Sequence, residues 1–150
     1  MSASGGIAAL AARTRRTGMP VPILKRGEYL IASIQSTLSD ADLIRLRDDV
    51  LVQVAHHRSR GVIVDVTVLD IMDSFAVRTL SALAQMITLR GAETVIVGIQ
   101  PDVAFAMVQL GLTLSGVATA LDLEEGLAYL DDHAKQSVHG GHGSEAGRRN

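Results

Sequence analysis

The segment Gly61-Val62-Ile63-Val64-Asp65-Val66 is a nearly unbroken run of β-branched residues, and Thr67-Val68-Leu69-Asp70-Ile71-Met72-Asp73-Ser74-Phe75 follows it. An apolar run without alternation fits burial on both faces, as in the centre of a parallel sheet. Downstream, Val77, Leu80, Leu83 and Ile87 mark the stripe of an amphipathic helix that stops at Gly91. Thr94–Ile99 is a second β-branched strand. Pro101 suits a first helical position, Asp102 complements the helix dipole, and Val103, Met107 and Leu110 are expected to face inward before Gly111. A short strand near Val117–Ala120 precedes a last helix from Asp122, with Leu123, Leu127 and Leu130 as its apolar edge and a cap-like Asp122–Glu125 start.

Upstream, Val21–Lys25 and Tyr29–Gln35 are β-rich runs joined by Arg26-Gly27-Glu28, which suggests a hairpin. Ser39 with Asp42 three residues on opens a helix whose stripe is Leu43, Leu46, Val50 and Val54. That helix is expected to end near Arg60, with Gly61 beyond it. The order β-β-α-β-α-β-α-β-α predicts an α/β fold: a mostly parallel mixed sheet of about five strands packed with about four helices.

Composition narrows the function. Of 150 residues 47% are apolar and 20% charged, enough for one core, which the pattern places in residues 20–136. Cysteine is absent, which excludes disulfides, thiolate metal sites and cysteine nucleophiles. Tyr29, Phe75, Phe105 and Tyr129 are the only aromatic residues, too few for base-stacking platforms. Residues 20–136 carry 15 acids and nine bases, so a phosphate backbone would be repelled, and no nucleic-acid partner is expected. No apolar run approaches the ~20 residues that span a bilayer. Residues 1–19 are small, polar and basic (Arg13, Arg15, Arg16) and read as a disordered leader; Met19 is an alternative start that an intact mass containing residues 2–18 would remove. Residues 137–150 hold four glycines and read as a disordered tail. His133, His139 and His142 would have to order that tail to hold a metal, so no physiological metal site and no cofactor are expected.

In folds of this class, sites form at the carboxyl ends of the strands. There the sequence places Asp65, Asp70, Asp73 and Ser74. Asp73 reads as the N-cap of the next helix, which puts Ser74 in its first turn beside free N–H groups. Capping alone explains Asp73-Ser74 from pattern, and Asp65 and Asp70 fit turns. Enzyme readings lack their equipment. Lys25 and Lys135 are the only lysines and neither sits at a late strand end; there is no phosphate-binding glycine loop, and no histidine is placed to activate Ser74.

The stretch Val62-Ile-Val-Asp-Val-Thr…Asp70-Ile-Met-Asp73-Ser74-Phe75 resembles the signature of STAS domains, the fold of anti-sigma-factor antagonists. Pro22-Ile-Leu-Lys, Ser33-Ile-Gln, Gly98-Ile-Gln-Pro, Leu110-Gly-Leu and Ala120-Leu-Asp-Leu-Glu-Glu-Gly-Leu resemble the RsbS-type antagonists of the bacterial stressosome. The resemblance covers roughly Pro20 to Lys135. It implies a non-enzymatic, cytoplasmic phosphoprotein of a stress response. Ser74 would be the phosphoacceptor of an RsbT-type serine/threonine kinase, and Asp70, Asp73 and Phe75 would shape the partner site. It also implies co-assembly with RsbR-type sensor paralogues and with further copies of this chain. Val97 stands where some sensor relatives carry a threonine before Gly-Ile-Gln-Pro, so no second phosphorylation is expected there. A stand-alone anti-sigma-factor antagonist and a small-ligand-sensing STAS domain remain alternatives.

Phosphorylation adds about −1.5 to −2 charges and three acceptor oxygens. A negative group at a helix N-terminus gains ~0.3–1 kcal/mol, and Asp65, Asp70 and Asp73 are expected to oppose it. Folding should then change little. A partner packed over Phe75 would have to desolvate the phosphate, so binding should change more.

Overall fold

The structure, a computed structural model, describes the backbone of residues 20–146 and the side chains of residues 20–136. The leader 1–19 and residues 147–150 lie outside the described residues. Strands β1 (Ile23–Arg26) and β2 (Tyr29–Ser33) form the expected antiparallel hairpin, with Arg26 opposite Tyr29 across the Gly27-Glu28 turn. Then follow α1 (Asp40–His57), β3 (Gly61–Asp65), α2 (Ser74–Leu89), β4 (Glu93–Val97), α3 (Pro101–Gln109), β5 (Ala118–Ala120) and α4 (Leu123–Ala146). The strands lie in chain order, and every pair after the first hairpin is parallel. This is the mixed α/β sheet that the pattern predicts.

The two-faced burial of the central strands has a direct geometric cause. Val62, Val64 and Val66 point, with Leu30, Ala32 and Ile96, into a core closed by α1, α2 and α3. Ile63, Ile31, Val95 and Val97 point the other way, against Leu123, Leu127 and Leu130 of α4. Successive residues of a strand face opposite sides, so a strand covered on both sides must be apolar at every position. Two glycines let α4 approach. A Cβ on Gly126 would lie 2.8 Å from Val97 Cγ1, and one on Gly61 would lie 2.8 Å from Leu130 Cδ1.

Two boundaries differ from the sequence expectation. Helix α1 does not run to Arg60 with Gly61 as its stop. It ends at His57, and Arg58 itself takes the left-handed cap (φ 50°). The sheet claims the next residues first: Arg60 N–H donates to Glu28 O at 2.8 Å, Glu93 N–H donates to Arg60 O at 3.0 Å, and Gly61 opens β3. The second difference is at the end of the chain. Helix α4 continues to Ala146, through residues that composition assigns to a tail without regular structure from 137. Once a helix exists, each added residue brings its own hydrogen bond, and a glycine costs only ~1 kcal/mol relative to alanine.

Tyr29 ties the hairpin to α4: its hydroxyl donates to Asp131 Oδ1 at 2.6 Å. Burial first, then this bond and the charges of Asp131 and Glu28, push the phenol up to about 12 from an ordinary 10.0, against the opposing Arg60. The neutral phenol is thus favoured in the folded state, and its contribution is complete below pH 10 and is lost as pH rises toward 12. In an alkaline unfolding series the wild-type domain should lose more stability across that window than Tyr29→Phe does. Equal losses would mean that the phenol does not couple to folding.

Candidate functional site

The carboxyl ends of β3 and β4 carry the acid- and hydroxyl-bearing loop. Asp65, the last residue of β3, turns its carboxylate onto the following residue: Oδ1 accepts from Thr67 N–H at 2.9 Å and from Thr67 Oγ1 at 2.5 Å. Gly98, just after β4, packs against that turn with φ 82°. Beyond it, Gln100 caps nothing on its own helix. Its Nε2 instead donates across to Thr67 O at 2.6 Å. The turn that starts the loop is therefore fastened to the neighbouring strand end.

From there Leu69 and Met72 are buried as anchors, while Val68 (46% exposed) and Ile71 (78%) face outward. Asp73 ends the loop as the N-cap of α2 (φ −78°, ψ 176°), its Oδ1 accepting from Ala76 N–H at 2.8 Å. Ser74 is the first helical residue and is exposed; Phe75 is half-buried. One turn on, Arg78 folds back over it. Its Nε donates to Ser74 O at 3.2 Å and its Nη2 lies 3.5 Å from Ser74 Oγ. The first turn of α2 holds no acid, although Asp73 immediately precedes it.

The structure thus brings Asp73, Ser74 and Phe75 together at one helix start. Asp70 is exposed in the same loop, and Asp65 is engaged with Thr67. Other hydroxyls near the site are less available. Thr67 Oγ1 is bonded to Asp65, Thr79 is half-buried, and Ser81 Oγ is shut away from solvent. His56 and His57 end α1, at the opposite end of the sheet from Ser74, and His133 bonds Glu93 there at 3.2 Å. Two open cavities of about 520 Å³ also lie at that far end, one lined by Tyr29, Arg60, Glu93 and His133, the other by Arg58, Ser59 and Arg90. Among the described residues no cluster of three metal-ligating side chains is found, and no helix is long and apolar enough to cross a membrane. His139 and His142 lie outside the residues whose side chains are described.

A model of the STAS domain family matches residues 21–125, from the hairpin through the start of α4. The chain belongs to the STAS-domain family. Among relatives of this STAS domain, the RsbT co-antagonist protein RsbRA of Bacillus subtilis is 31% identical over 83 residues, 55% of this chain. That match spans only 30% of the relative's own length. A serine-to-glutamate variant of Moorella thermoacetica RsbS superposes with a TM-score of 0.67 at 34% identity, covering 77% of this chain and 97% of that one. A chain in a structure of the stressosome, described as a signal integration and transduction hub, gives 0.65 at 35% identity over 75% and 98% of the two chains. The STAS domain described here is therefore similar to stressosome components in both sequence and fold.

Sequence reasoning missed three features. Arg78 lies four residues after Ser74, the spacing that puts two side chains on one helix face, so the signal was present. The clamp from Gln100 and the outward Val68 and Ile71 had none, because loop residues follow no period. Removing the clamp with Gln100→Ala should leave the global stability within about 1 kcal/mol, a typical net hydrogen bond. Amide hydrogen exchange should at the same time speed up severalfold across residues 66–73. Unchanged exchange there would show that the loop holds itself.

Proposed function

We propose that this STAS domain is a non-enzymatic antagonist in a stressosome-type assembly, which holds an RsbT-type serine/threonine kinase and releases it when Ser74 is phosphorylated. The supporting observation is the exposed Ser74 hydroxyl at the head of α2, beside a Thr67 hydroxyl bonded to Asp65, a half-buried Thr79 and a Ser81 hydroxyl shut away from solvent. Likeness to RsbS and to a stressosome chain supports the assembly.

The outward Val68 and Ile71 with half-buried Phe75 supply apolar surface for a partner beside the hydroxyl. In the transfer, Ser74 Oγ bonds the γ-phosphorus of the kinase's ATP, the bond to the ADP oxygen breaks, and the hydroxyl proton passes to the kinase. The RsbR-type paralogue and further copies of this chain complete the assembly. No step asks this domain for a catalytic group.

Incubation with the cognate kinase and ATP, followed by phosphopeptide mapping, should place the phosphate on Ser74. Label on Thr67, Thr79 or Ser81 with none on Ser74 would overturn the assignment. Light scattering behind size exclusion, with the sensor paralogue present, should show a large mixed assembly; a lone dimer would favour a stand-alone antagonist.

A further inference from the structure

We infer that Arg78 is the internal counter-ion of a phosphate on Ser74, a positioning residue that fixes the phosphate against α2. The inference rests on the reading of Ser74 as phosphoacceptor and adds what the site does once modified. Arg78 already spans the serine, bonding its carbonyl through Nε (3.2 Å) and reaching its Oγ through Nη2 (3.5 Å). The guanidinium needs no new rotamer family to meet a group attached to that oxygen. Arginine also presents parallel N–H donors that match phosphate oxygens two at a time.

Among the described residues, Arg78 is the base seen bonded at Ser74. Asp73 faces the serine from the N-cap, but its carboxylate is held by Ala76 N–H. Asp70 is exposed in the preceding loop, and Asp65 is turned onto Thr67. The first turn of α2 contributes only N–H groups, those of Ser74 and Phe75 preceding the capped Ala76. On its other side Arg78 borders an open groove of about 400 Å³ with Ser81, Gln85 and Thr113, which has no acid among its lining residues to compete for the guanidinium. Arg78, on the same helix face as Ser74, therefore sets one positive charge beside a phosphate there, against the negative charges of Asp65, Asp70 and Asp73.

Two consequences follow. Phosphorylation leaves the domain folded with a rigidly held dianion. An aspartate at 74 reproduces it poorly, because a carboxylate on a shorter stem has no third oxygen and does not extend to Arg78.

The test installs phosphoserine at 74 during synthesis by genetic code expansion, which needs no kinase. The second phosphate ionisation is then followed by ³¹P NMR in the full chain. The phosphorylated wild type should titrate about 0.3–0.7 pH unit below phosphorylated Arg78→Gln. Arg78→Lys should recover part of that shift, and the unmodified variants should melt like the unmodified wild type. Coincident titrations in wild type and Arg78→Gln would overturn the inference. Failure of the kinase to label Ser74 would instead overturn the proposed function and leave this titration readable.

Discussion

Gly98→Ala is expected to destabilise the domain by roughly 2–5 kcal/mol, the sum of a left-handed backbone penalty of ~1–2 kcal/mol and overpacking of ~1–3 kcal/mol. Gly98 sits at φ 82°, and a Cβ there would overlap Thr67 Oγ1 and lie 3.1 Å from Thr67 Cβ and 3.2 Å from its Cα. The hydroxyl has no easy retreat, since turning it away breaks its bond to Asp65. The backbone atoms cannot retreat either without pulling on Val66, whose N–H donates to Val97 O at 3.0 Å, and on Gln100. Thr67→Ala in the same chain should recover only part of the loss, because the backbone penalty and the contact with Thr67 Cα both remain. Urea unfolding of the two single variants and the double variant gives the coupling directly. A loss below about 0.5 kcal/mol for Gly98→Ala would mean that the β3 and β4 strand ends are not packed as described.

On the proposed reading, the larger effect is on binding. Phosphorylated Ser74 should bind the kinase at least about 100-fold more weakly than the unmodified serine, equivalent to ~3 kcal/mol. The reasoning is electrostatic. Surface near Ser74 is partly apolar through Val68 and Ile71, and a partner covering it would strip water from a dianion. Burying an ion that the interface does not pair costs several kcal/mol. Pairing with Arg78 offsets part of this, yet it also withdraws a cation that could otherwise meet an acidic partner. Ser74→Ala removes the switch while sparing the surface. It should fold like the wild type, since the hydroxyl caps nothing and Asp73 supplies the N-cap bond. The alanine variant should hold the kinase in the presence of ATP, whereas the wild type lets go.

Much of this architecture was legible because periodicity reports burial. The stripe of α2 (Val77, Leu80, Leu83, Ile87) is buried as spaced, and the run Val62–Val66 is covered on both faces. Gly61 opens β3 as read but does not stop α1, and the difference has a physical reason. Glycine serves both as a helix stop and as a place for close packing, and only the position of Leu130 in space shows which use applies.

At the candidate site, Asp73 as cap and Ser74 as the exposed first-turn residue could both be read from their order. Counting acids around Ser74 passed over the base one helical turn away, Arg78. The bond from Gln100 to Thr67 joins residues 33 positions apart and exists only once β3 and β4 lie side by side.

The account turns on whether a single ester at residue 74 governs release of the kinase. Isothermal titration calorimetry should be run with the RsbT-type kinase, without nucleotide, against the unmodified full chain and against the same chain carrying phosphoserine at 74 throughout. The account predicts saturable binding to the first, and a dissociation constant raised at least about 100-fold for the second. Dissociation constants within twofold of each other would contradict it.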